Sequence, residues 1–159
     1  WDYNSLIEQY PDAVGYIRNK TMSYPVVQGT DNEFYLHHLI DGTYDFAGTL
    51  FVDSRIDEKF EAKNCIIYGH CMKNGSMFGS LYKFNQQGYA NQYGEFEIYA
   101  GHNQYKYKVF ASFTVNKNSD VYISHFKNKK AFLTYINNMK NKLIVFVKTE
   151  IQLISFFTY

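Results

Sequence analysis

Cysteine is scarce. The 159 residues hold two, Cys65 and Cys71, too few to define a disulfide framework. Were the run between them extended, their Cα atoms would stand about 20 Å apart at about 3.3 Å per residue, against the roughly 4.4–6.8 Å a disulfide needs. Two free thiols are therefore expected. An excess of either charge is lacking too: 16 Lys and Arg against 15 Asp and Glu leave a formal charge of +1. The lysines are scattered or gathered on one helix, not in the concentrated basic stripe that a phosphate backbone recruits, so no nucleic-acid partner is expected. No apolar run approaches the roughly 20 residues that cross a bilayer. No signal peptide leads the chain, and no repeat, low-complexity tract or Pro/Gly-rich linker divides it. The chain begins at Trp1 and not at methionine. The expectation is one soluble domain, residues 1–159, excised from a longer protein whose anchor and address lie outside it.

What is abundant is aromatic and apolar character. Hydrophobic residues make up 46% and aromatics 19%, with 16 Tyr and 14 Phe, a composition suited to pleated, half-buried surfaces. The opening reads as helical over about 3–18, with the helix of "SLIEQY" stopped near Pro11 because proline restrains the residue before it. Strand character follows at 24–28, 47–53, 64–69, 95–101 and 105–115. In the last of these, Tyr105, Tyr107, Val109, Ala111, Phe113 and Val115 share one face. The short "HNQ" gap before it predicts an antiparallel hairpin with 95–101. Residues 127–141, "KNKKAFLTYINNMKN", carry an apolar stripe of Ala131, Phe132, Tyr135, Ile136 and Met139, which predicts a helix over 129–140 with a solvated lysine face. Two more strand-like runs, "KLIVFVK" and "EIQLISFFTY", close the chain. Many short strands with one inserted helix suggest a closed or nearly closed β-barrel.

The stretch "CIIYGHCMKNGSMFG", residues 65–79, sets His70 beside Cys71. A nucleophilic thiol needs a base or cation next to it, yet neighbours on a strand point to opposite faces. His70–Cys71 is therefore a poor dyad, and Cys71 reads as a small loop residue. His37 and His38 are adjacent, and the five histidines show no metal-ligand spacing, so no metal and no cofactor is expected. "GSMFG" lacks the length and lysine of a phosphate loop and reads as a turn.

Two blocks carry a resemblance. "YPVVQGTDNEFYLHHLIDGTYDFAGTLFVDSR" (24–55) followed by "NCIIYGHCMKNGSMFGSLYKF" (64–84) resembles the class B sortases, cysteine transpeptidases that attach proteins to Gram-positive cell walls. The ordered match runs from about residue 10 to residue 141. It implies a mostly β fold, a sortase-like barrel over about 22–159 with an N-terminal helix and a long helix before the penultimate strand. It implies a thiolate that attacks an Asn-Pro-x-Thr-Asn-like sorting signal, a histidine acid/base, and an arginine that stabilises the oxyanion. His70 takes the acid/base role by resemblance. The implied partners are the sorting-signal peptide and a cell-wall precursor. The implied place is the extracellular face of the membrane, reached through an N-terminal anchor outside this chain.

The C-terminus departs from that pattern. Aligned on Ile151, Ser155, Thr158 and Tyr159, the family's nucleophilic cysteine falls on Phe157, and Ser155 becomes a substrate-contacting position. A phenyl ring has no lone pair with which to attack a carbonyl. The only arginines are Arg18 and Arg55, in the first third of the chain. Position 71 is usually asparagine in the family, so Cys71 is a substitution and not a relocated nucleophile. The expectations are an altered or truncated sortase, inactive or impaired as given, or a non-catalytic module that still binds a sorting-signal peptide. An enzyme recruiting Cys71 and an unrelated structural domain are the remaining readings. With the last barrel strand missing, an open sheet edge beside 151–157 also predicts self-association through that segment or a disordered tail.

Overall fold

A computed structural model describes residues 3–57, 59–112, 120–141 and 153–158, the last segment by its backbone. Helix α1 (Tyr3–Gln9) leads into strands β1 (Ala13–Arg18) and β2 (Ser23–Val27). Then come β3 (Leu50–Val52), β4 (Asn64–Gly69), helix α2 (Gln87–Tyr93), β5 (Glu95–Ala100) and β6 (Asn103–Lys108). Helix α3 (Lys129–Asn141) precedes β7 (Leu153–Thr158). Among the described residues the strands form one seven-stranded sheet in the order β6-β5-β1-β2-β3-β4-β7. The mostly β architecture is the expected one.

The expected strands at 24–28, 64–69 and 95–101 are β2, β4 and β5, while 47–53 shortens to β3 because the chain turns at 46 and 47 and pairs as a strand only from Leu50. The β5–β6 hairpin forms with Glu95 opposite Lys108 and Ala100 opposite Asn103. The expected 105–115 strand is β6 only as far as Lys108: residues 109–112 are not strand, and 113–115 lie outside the described residues, as does the run 142–148. One correction concerns the opening. It is helical only to Gln9; residues 13–18, read as part of a helical 3–18, are β1. That segment buries Ala13, Gly15 and Ile17 in alternation, and it pairs with both β2 and β5.

Strand β4 is buried at all six positions, which explains its near-continuous apolar run, the signature of a strand covered on both faces. It pairs antiparallel with β3 and parallel with β7. At its start, the fully buried Asn64 donates from Nδ2 to the Ile123 carbonyl at 2.8 Å, and the buried Tyr135 hydroxyl donates to the Val121 carbonyl at 2.7 Å. These bonds tie the α3 region to β4. Helix α3 buries Phe132, Tyr135, Ile136 and Met139 against Val121, whereas Ala131, expected on that stripe, is exposed. Its amide instead donates to the Asn128 side chain at 2.9 Å, an N-terminal cap.

Asp53, just past β3, is fully buried. Its carboxylate accepts from Arg55 Nε at 2.9 Å, Arg55 Nη2 at 2.6 Å, the Arg55 amide at 3.0 Å and the Tyr68 hydroxyl at 2.9 Å. Burial pushes its pKa up, but the hydrogen bonds from Arg55 and the others outweigh burial, and the carboxyl sits well below the usual carboxylate range. A depressed carboxylate stabilises the fold fully above its unfolded pKa, about 3.9, and loses that contribution as pH falls through the folded value. Asp53→Asn should cost about 1.5–3 kcal/mol at pH 7, the range for hydrogen bonds to a charged group. Denaturant melts at pH 7 and pH 3 check this: the gap between wild type and variant should narrow in acid, and a gap independent of pH would contradict it.

Candidate active site

His70 follows the last residue of β4, and the glycine before it sets its surroundings. A Cβ on Gly69 would collide with the Leu50 side chain and meet Phe78 Cδ2 at 2.9 Å. Glycine thus lets the core close over the strand end while the chain turns outward. The turn itself is held by the Phe78 amide on the His70 carbonyl at 2.9 Å and by a bridge between Cys71 and Met77. "GSMFG" is a turn, as read.

The half-buried His70 ring hydrogen-bonds through Nε2 to the Leu36 carbonyl at 2.8 Å. A carbonyl only accepts, so Nε2 carries the proton and the neutral ring keeps its lone pair on Nδ1. Leu36 ends a short 3₁₀ turn, Phe34–Leu36. Asp31 starts that turn by accepting the amides of Glu33 and Phe34, both at 2.8 Å. These bonds, with Phe34 the larger cause and Glu33 next, hold the Asp31 carboxyl below its ordinary range. The buried Tyr35 anchors the turn through its hydroxyl on Asp12 at 2.6 Å. Burial and that carboxylate push the Tyr35 phenol well above its ordinary pKa.

Around His70 stand rings from the same loop. His37 lies 5.3 Å away between centroids, and Phe46 stacks on His70 at 5.2 Å with the planes 20° apart. The Nδ1 of His37 is buried without a hydrogen-bond partner. On the other flank β7 runs parallel to β4, with Ser155 opposite Ile66, Phe157 opposite Tyr68 and Thr158 opposite Gly69. Position 157 thus lies on the strand beside β4, in register two residues before His70. The side chains of Ser155 and Phe157, and all of Tyr159, lie outside the described residues.

The two cysteines differ sharply. Cys65 is buried in β4, and burial, with the Asp53 charge a lesser cause, pushes its thiol up to about 12, which leaves it protonated and inert at neutral pH. Cys71 is exposed, and among the described residues no hydrogen bond links it to the His70 ring. Each arginine is engaged elsewhere, Arg18 with Glu97 and Arg55 with Asp53, both at 2.6 Å. Among the described residues no group of three or more His, Cys, Asp or Glu could hold a metal ion, and no helix is long and apolar enough to cross a membrane.

Comparison with known proteins agrees with this layout. No family model matches the chain. The sortase B of Listeria monocytogenes is 31% identical over 135 residues, 84% of this chain and 55% of that protein. The sortase B of Staphylococcus aureus is 25% identical over 145 residues, 90% of this chain and 59% of that protein. A Staphylococcus aureus sortase B–substrate complex superposes with a TM-score of 0.87 at 23% identity, covering 94% of this chain and 70% of that one. The chain is a class B sortase-like protein. It spans between 55% and 59% of the length of these two curated relatives.

For this sortase B-like chain, the sequence locates His70 but not the company it keeps. In the sequence His37 stands out only beside His38, as a weak metal-ligand pair, and nothing singles out Phe46. Both approach His70 because the 34–48 loop folds back on the end of β4, a contact no local spacing encodes. Native-state alkylation followed by intact mass should show one modified thiol, Cys71, with the second appearing only on unfolding. Rapid labelling of Cys65 in the native protein would contradict the burial of β4.

Proposed function

We propose that this chain forms the peptide-handling core of a class B sortase site, with His70 as its acid/base and position 157 as its nucleophile position. The observation that carries the reading is the pairing of β4 with β7, which brings position 157 onto the strand beside the one that ends at His70. In an acyl transfer of this type a thiolate attacks the threonine carbonyl carbon of an Asn-Pro-x-Thr-Asn-like signal. The imidazole has by then taken the thiol's proton on Nδ1, and the C–N bond breaks as the leaving amine takes that proton from the imidazolium. The entering amine of a cell-wall precursor then adds to the thioacyl carbonyl carbon, gives a proton to Nδ1 and expels the thiolate as the C–S bond breaks. The Leu36 carbonyl suits His70 to this work: it holds Nε2–H and leaves Nδ1 to exchange the proton.

In this chain position 157 is phenylalanine, which cannot form the thioacyl bond. The reading is therefore recognition of a sorting-signal peptide without turnover, at the extracellular face of a Gram-positive membrane. Ser155 is the substrate-contacting position on β7.

A fluorogenic Asn-Pro-x-Thr-Asn peptide tests it. The chain as given should bind the labelled peptide by fluorescence anisotropy and should not cleave it above background. Phe157→Cys should gain little, because groups that act as a unit give non-additive effects and no oxyanion arginine is free among the described residues. Turnover that disappears in Cys71→Ala would overturn the assignment. Absence of both binding and turnover would overturn the peptide-handling reading.

A further inference from the structure

Phe46 is a large apolar side chain that the fold leaves 62% exposed, and it packs into neither hydrophobic cluster. What it touches is imidazole. Its ring lies 5.2 Å from His70 with the planes 20° apart, and 5.9 Å from His37 at 34°. With His37 and His70 themselves 5.3 Å apart, the three rings form a closed triangle at the end of β4. Hydrogen bonds fix the backbone that presents Phe46. Asp45 Oδ1 accepts the Ala47 amide at 2.7 Å, the Asp45 carbonyl accepts the Gly48 amide at 3.1 Å, and the Asp45 amide donates to the His37 carbonyl at 3.0 Å. Gly48 completes the turn at φ +60°, where a Cβ would strike the Tyr35 and Leu36 carbonyls. One hydrogen-bonded unit, residues 34–48, therefore supplies both the acceptor for His70 Nε2 and the aromatic face against its ring.

A single hydrogen bond does not hold an imidazole. The second side-chain torsion of histidine is broad and roughly two-fold, so a ring tethered only at Nε2 can swing off its acceptor or turn over and exchange its nitrogens. A flat partner stacked on the ring opposes that rotation and keeps water from one face. We propose that Phe46 is a positioning residue for His70: its ring restricts the imidazole to the orientation in which Leu36 holds Nε2–H and Nδ1 is left for proton exchange. The inference rests on the reading of His70 as the acid/base, and it explains why an exposed phenylalanine sits where core packing does not require one.

The test reads the His70 ring directly. Nitrogen-15 NMR of the histidine side chains, with His70 assigned by its loss in His70→Gln, should show the Nε2–H tautomer and ring protons shifted upfield by the phenyl ring. In Phe46→Ala the share of the other tautomer should rise about 2- to 10-fold, the range an aromatic pair's energy implies, and the upfield shift should vanish. Phe46→Tyr should restore both, and the melting temperature should fall by no more than about 2–6 °C in Phe46→Ala. Phe46→Leu keeps apolar bulk without a ring, so it serves if the alanine variant is poorly folded, and it should behave as alanine does. Unchanged His70 signals in both ring-less variants would overturn the proposal. Altered His70 signals together with failure of the peptide to bind the unmodified chain would sink the peptide-handling reading and leave the positioning role standing.

Discussion

The two-sided pairing of β4 is the constraint on which the site depends. A strand with neighbours on both edges and both faces buried has little freedom to slide, because a one-residue slip would exchange the side chains packed against its two faces. β4 is in that position, between antiparallel β3 and parallel β7. Its last residue is therefore delivered to one place, and His70, the next along, inherits that precision. The parallel partner does the same for position 157. Parallel strands need a long crossover, and here the connection from β4 to β7 contains the β5–β6 hairpin and α3. Residues 87 positions apart, 70 and 157, are brought to adjacent strand ends by backbone pairing alone.

Burying such a strand obliges its polar groups to find partners. Asn64 meets the Ile123 carbonyl, and the Tyr68 hydroxyl meets Asp53, which Arg55 neutralises. The half-buried His70 meets Leu36. Three polar side chains of one strand and its extension thus reach three different loops, and each bond fixes a loop that the sheet by itself would leave free. Of the three, the bond to Leu36 has a chemical consequence, since it decides which imidazole nitrogen keeps the lone pair.

Much of this is legible in the sequence where the signal is local. The apolar run 64–69 marks β4 to the residue, and the "HNQ" gap marks the β5–β6 hairpin. The lysine-backed stripe marks α3, although Ala131, in the first turn that Asn128 caps, lies outside its buried face. Strand β1 is hidden in a helical opening because Pro11 stops a helix without specifying the structure after it, and the strand's partner β5 lies some 80 residues on, as Ile17 opposite Ile98 shows. Helix α2, "QGYANQY", has no apolar stripe to read; only Ala90 is buried. Within the site, His70 is legible from its motif. Its ring partners are not, because His37 and Phe46 reach it through a loop closure set by Asp31, Asp45 and Gly48.

The site stands or falls with the register between β4 and β7, and cross-strand nuclear Overhauser effects between backbone protons measure it most directly. In uniformly labelled protein the expected contacts align Tyr68 with Phe157 and Gly69 with Thr158. Contacts displaced by one or more residues, or an antiparallel pattern, would remove position 157 from the strand end beside His70 and contradict the site.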